Sequence, residues 1–168
     1  MRILGIDPGL HITGYAVLDA NGPNTSIVDA GIIRTNRRHE LAKRLAVLSK
    51  ELAELLDEHK PDVLAVEELY SHYRFPRTGI LMGHARGVIL QTAADAGMKV
   101  RAYSATRVKK SITGHGRADK QQVQRAVKQH FKLKKLPTPA DVADALAIGV
   151  CCASELGKTA LDKLMVKR

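Results

Sequence analysis

The period of the apolar positions changes along the chain, and each change marks an element. Ile3, Leu4 and Ile6 make a short strand-like run that ends on Asp7, where Pro8 and Gly9 force a turn. Thr13 to Leu18 (TGYAVL) and Ile27 to Arg34 (IVDAGIIR) read as two more strands, and Asn21-Gly22-Pro23-Asn24 between them is turn material, so the three form an antiparallel meander. The spacing then switches to three- and four-residue steps. Leu41, Leu45, Leu48, Leu52, Leu55 and Leu56, with Lys and Glu on the opposite side, predict an amphipathic helix over 41–56. Val63-Leu64-Ala65-Val66 is a continuous apolar run of the kind found in buried parallel strands, and it ends on Glu67 and Glu68.

Residues 70–78 (YSHYRFPRT) have no period and read as an exposed loop. Ile80, Leu81, Ala85, Val88, Ile89, Thr92 and Ala96 return to helical spacing over 79–96, and Val100 to Tyr103 reads as a strand. A short helix is expected over 106–112, then a flexible Gly114-His115-Gly116 loop, then a helix to about Phe131 opened by Asp119 with Gln122 three residues on. Lys132 to Lys135 connects to a last long helix, started by Thr138-Pro139 and running to about Glu155. The order is βββαβαβ followed by helices, an α/β chain expected to form a single domain over 1–168, with 157–168 read as a flexible basic tail. Gly79, Gly83, Ala85, Gly87, Ala93 and Ala94 give the 79–96 helix a small-residue surface that suits either a dimer contact or packing on the sheet.

Composition narrows the class. No apolar run approaches the roughly 20 residues that span a bilayer, and the first residues do not read as a signal peptide, so a cytoplasmic protein without a membrane partner is expected. Cys151 and Cys152 are adjacent in an apolar helical stretch, which favours two buried thiols over a disulfide. The net charge is +10 and it is concentrated: residues 99–135 hold twelve basic side chains against a single acid, Asp119. A cationic surface with no amphipathic anchor points to nucleic acid ahead of membrane.

The acids supply the chemistry. Asp7 and Glu67 each end an apolar strand, and Asp141 and Asp144 are three apart on one helix and share a face. Two of them have a simpler alternative: Asp7 as the cap of its own Pro-Gly turn, and Asp141 as the third residue after a Thr138 N-cap. Asp144 has none, because it lies a turn deeper in VADALAIGVCCA with no cation nearby in sequence, and an unpaired buried carboxylate is costly. If the strands are neighbours and the helix packs across their ends, four carboxylates meet, and two Mg²⁺ or Mn²⁺ ions would balance them. All-oxygen ligation is favoured, since the seven histidines show no HxH or HxxxH pairing. Two such ions about 4 Å apart are a device for phosphodiester cleavage.

LGIDPG, TGYAV, AVEELY at 65–70, GHGRADK at 114–120 and DVADALAIG at 141–149 resemble, in order and spacing, the bacterial RuvC Holliday-junction resolvases over roughly 1–155. The resemblance implies an RNase H-like fold, a mixed five-stranded sheet flanked by helices, in a homodimer that nicks four-way DNA junctions symmetrically. It makes Asp7, Glu67, Asp141 and Asp144 the catalytic, metal-binding acids, with Glu67 rather than Glu68 matching the family pattern. It places Tyr70 as an aromatic that stacks on junction bases, and Lys109 and Lys120 beside the scissile phosphate. Arg74, Arg77 and Arg117 complete the residues assigned to DNA. Two Mg²⁺ ions per site, with Mn²⁺ as a substitute, and the branch-migration proteins RuvA and RuvB as partners also follow from the resemblance. The alternatives are another RNase H-like nuclease, of YqgF type or acting on RNA–DNA hybrids, and a non-catalytic architectural DNA binder.

Overall fold

The computed structural model describes residues 1–21, 24–69 and 76–165. Five strands, β1 (Arg2–Asp7), β2 (Ile12–Asn21), β3 (Asn24–Arg34), β4 (Val63–Glu67) and β5 (Lys99–Tyr103), form one sheet in the order β3-β2-β1-β4-β5. The first three pair antiparallel as a meander, and β4 and β5 join in parallel, so the expected mixed sheet is found. The parallel additions need crossovers, and helices α1 (Leu41–His59) and α2 (Pro76–Asp95) provide them. Helices α3 (Ala105–Thr113), α4 (Lys120–His130) and α5 (Ala140–Met165) complete the chain.

Strand alternation separates two cores. Leu4, Ile6, Val17, Leu64 and Val66 point to one face, where they meet Leu48, Leu52 and Leu56 of α1 and Ala85, Ile89 and Ala93 of α2. Ile3, Ala16, Leu18, Val63 and Ala65 point to the other, under α5, with α3 and α4 packed outside it. Asp7 has the parity of Ile3, and Glu67 that of Val63 and Ala65, so both strand-end acids belong to the α5 face.

Strands β2 and β3 reach further toward their turn than expected, to Asn21 and from Asn24, α1 runs on to His59, and two later helices depart further from the reading of the sequence. Residues 70–75 of the expected loop lie outside the described residues, and helix has begun at Pro76, a residue suited to the first turn because it has no N–H to leave unpaired. The last helix continues to Met165, so the stretch expected as a flexible tail carries helical backbone through 157–165; Leu156, Ala160, Leu161 and Leu164 keep an apolar spacing that the net basic charge obscured. Of the small residues of α2, some pack on the sheet and others do not. Ala85 and Ala93 are buried against the sheet, whereas an added Cβ at Gly83 or Gly87 would meet nothing within 4 Å. Among the described residues no helix is long and apolar enough to cross a membrane, and Cys151 and Cys152 are free, buried thiols.

Candidate active site

β1 and β4 run parallel with Ile6 paired to Val66, so the two strands reach Asp7 and Glu67 at the same level. The Pro-Gly turn beyond Asp7 is closed by Thr13, whose buried hydroxyl donates to the Gly9 carbonyl at 2.6 Å. Among the described residues no hydrogen bond engages the Asp7 carboxylate, which removes the turn-cap alternative and leaves that group to the site.

Helix α5 reaches the same place through backbone contact. Gly14 is the cross-strand partner of Asp7, and a Cβ on it would lie 2.1 Å from the Asp141 carbonyl oxygen. A Cβ on Gly5 would lie 2.4 Å from the Ala145 carbonyl, and Gly149 is similarly closed by the Leu18 side chain. Only glycine allows a helix so close to the sheet. This seating brings the first turns of α5, with Asp141 and Asp144, over the ends of β1 and β4. Asp141 is the second helical residue rather than the third, because α5 opens at Ala140, after Pro139, one step later than a Thr138 cap would place it.

The cation missing from the sequence around Asp144 comes from α4. Lys120 Nζ stands 3.9 Å from Asp144 Oδ2. A reciprocal capping box fixes the start of that helix: Asp119 Oδ1 accepts from the Gln122 N–H and Gln122 Oε1 from the Asp119 N–H, both at 2.8 Å. The only acid of the basic segment is thus consumed as a cap. A lysine in the first turn opposes the helix dipole, and an exposed ion pair stabilises a fold little, so stability does not account for Lys120 at this position. Asp144 is part-exposed, at 24% of its side chain, rather than fully buried as its apolar surroundings in the sequence suggest.

The electrostatics tie the four acids together. Asp7 is pushed up to about 8, mainly by burial and then by the charges of Asp144, Glu67 and Asp141, with Lys120 opposing. Burial also raises Glu67, as does Asp144, while Lys109 and Lys120 pull it down. Asp144 is raised by burial and by Asp141 against Lys120 and Lys109. The cluster therefore holds more negative charge than its two lysines balance, and its donors are all oxygen, which fits a hard divalent cation. Among the described residues no three such side chains are already gathered tightly enough to clasp one ion.

The remaining residues expected to contact DNA are less concentrated. Lys109, on α3, is half-buried and acts on Glu67 and Asp144. Arg117 is exposed in the turn between α3 and α4, and Arg77 is exposed in the first turn of α2. Tyr70 and Arg74 lie outside the described residues. Of the basic segment, Arg101 and Arg107 are committed to Glu155 of α5. The three glycines that seat α5, and Arg86, whose Nε donates to the Glu67 carbonyl at 3.2 Å, were not singled out from the sequence for these roles. Pairing GID with TGY across the β1–β2 hairpin offers a signal for Gly14; nothing local marks Arg86.

The family model described as crossover junction endodeoxyribonuclease RuvC matches residues 3–152. A crossover junction endodeoxyribonuclease RuvC from Rhodopirellula baltica is 53% identical over 149 residues, covering 89% of this chain and 84% of the relative. The solved Thermus thermophilus RuvC structure superposes with a TM-score of 0.85 at 31% identity, over 95% of this chain and 97% of that one. The same T. thermophilus protein in complex with a Holliday junction substrate gives a TM-score of 0.87 at 31% identity, over 95% and 96%.

Proposed function

The chain belongs to the RuvC family of crossover junction endodeoxyribonucleases, and we propose that it resolves four-way DNA junctions with a metal site built on Asp7, Glu67, Asp141 and Asp144. The observation that carries this reading is the convergence of two strand-end acids and two helix acids on one face, where Asp7 is pushed up to about 8 by its burial first and by the neighbouring acids second. Family membership brings divalent-metal dependence. A pair of Mg²⁺ or Mn²⁺ ions, when bound, supplies Lewis acidity that activates water and takes up charge on the leaving oxygen.

The chain's own groups do the rest. The four carboxylates would hold the ions, and the burial of Asp7 would keep bulk water from screening them. Lys120 and Lys109 present ammonium groups at the rim, suited to binding the scissile phosphate and the charge it gains as water attacks in line. The products are a 5′-phosphate and a 3′-hydroxyl. A homodimer would set two such sites on a twofold junction and nick strands of like polarity, and the open Gly83 and Gly87 surface of α2 supports that contact. Tyr70 stacking on unpaired bases, phosphate contacts from Arg74, Arg77 and Arg117, and action with RuvA and RuvB in the cytoplasm belong to the same proposal.

End chemistry tests it. Nicked arms released in Mg²⁺ should be sealed by DNA ligase without prior treatment, and EDTA should abolish nicking while leaving the gel shift. Products that ligase cannot seal, or nicking that persists in EDTA, would overturn the two-metal reading.

A further inference from the structure

The end of β4 must aim one particular carboxylate at the site although two acids stand side by side, and its backbone has a defect at that point. Were the β1–β4 register to continue one step past Ile6 and Val66, the Glu67 carbonyl would look to the N–H of residue 8, just beyond the end of β1. Residue 8 is proline and has no N–H to give. The carbonyl is instead met by Arg86 of α2, whose Nε donates to it at 3.2 Å. The other end of the same peptide group is also held: the Glu68 N–H donates to the Tyr103 carbonyl of β5 at 2.9 Å.

From these contacts we propose that Arg86 is a positioning residue for the nuclease reaction: by taking the place of the N–H that Pro8 lacks, it locks the Glu67–Glu68 peptide plane and fixes Glu67 as the ligand. With both ends of that peptide bonded, rotation that would exchange the directions of Glu67 and Glu68 is blocked. Glu67 stays on the α5 face with Asp7, and Glu68 stays in solvent. Ala85, beside Arg86 on α2, is fully buried against the sheet, so the arginine springs from a fixed point. The bond is made to backbone, which separates Arg86 from lysines that act on the acids by charge. Its bearing on catalysis rests on the four-acid reading above, whereas its bearing on metal binding does not depend on the DNA substrate.

The test compares Arg86→Met, which keeps an apolar stem but no donor, with Arg86→Lys, which can still donate. Three readouts are taken on the full chain: Mn²⁺ binding to DNA-free protein by calorimetry, junction affinity in EDTA, and single-turnover cleavage at saturating junction. Arg86→Met should weaken Mn²⁺ binding and slow cleavage by about tenfold or more, the range seen when an outer partner of a metal ligand is lost. Junction affinity in EDTA should stay within about twofold, and Arg86→Lys should recover most of both losses. Wild-type Mn²⁺ binding and cleavage in Arg86→Met would overturn the proposal. So would a loss of junction affinity equal to the loss of cleavage, which would make Arg86 a phosphate contact, or an Arg86→Met protein unfolded at the assay temperature, which would make the bond part of the fold. A wild-type protein that does not cut junctions would instead overturn the proposed function, and the Mn²⁺ comparison would still decide the role of Arg86.

Discussion

Asp7 stands where four carboxylates converge, and burial keeps water from screening them, so the protein resists ionising it until about pH 8. A carboxyl whose folded pKa is raised binds its proton more tightly in the folded state than in the unfolded one. Its contribution to stability is therefore present at low pH and is lost as pH rises from the unfolded value near 4 through about 8. Metal-free Asp7→Asn should melt a few degrees above wild type at pH 8, the size that about 1–2 kcal/mol gives in a domain of this length. That advantage should shrink as pH is lowered and disappear near pH 4, the unfolded value. Protons and metal compete for the same oxygens, so the Mn²⁺ concentration giving half-maximal binding should fall as pH is raised from 6 to 8, and Asp7→Asn should flatten that dependence. A wild-type metal requirement that ignores pH would count against the charge assigned to Asp7. At this scale three of the four acids stood out because each violates its surroundings, Asp7 and Glu67 closing apolar strands and Asp144 lying in an apolar helical stretch, whereas Asp141 stood out only by sharing a face with Asp144. Lys120 as the partner of Asp144 was not legible, since a pairing between α4 and α5 has no local pattern.

Helix α5 sits where glycine lets it. A methyl on Gly14 would overlap the Asp141 carbonyl, with no flexible side chain able to yield, so the helix must shift. Gly14→Ala should destabilise by about 1–3 kcal/mol, as overpacking does. Its cleavage rate, measured well below the melting temperature, should fall by more than the unfolded fraction explains, because Asp141 moves with the helix. Loss of stability with undiminished cleavage would mean that α5 does not set the site geometry. Element order, the start of α1 and the boundaries of α3 and α4 were legible from periodicity and caps. The glycine seats were not, because a missing side chain leaves no mark in a hydrophobic pattern. The continuation of α5 to Met165 was hidden by lysines that a solvent-facing helix readily carries.

Across the whole molecule the surplus charge and the open face of α2 make separate predictions. Junction affinity should fall steeply with salt, as released counterions require, even though Arg101 and Arg107 are partly occupied by Glu155. A Cβ added at Gly87 meets nothing within 4 Å among the described residues, so the fold of Gly87→Glu should survive while sedimentation shows the proposed dimer lost. A dimer that persists would move the interface away from this face. The central claim is that Asp7, Glu67, Asp141 and Asp144 form one metal-dependent site that cuts four-way junctions. Its most direct test is nick mapping in Mg²⁺ on an end-labelled mobile four-way junction beside a linear duplex of the same sequence, with wild type and Asp7→Asn run in parallel. The expected result is paired nicks in two junction strands of like polarity, an intact duplex, and no nicks from Asp7→Asn at matched binding. Equal cutting of the duplex, or wild-type nicking by Asp7→Asn, would contradict it.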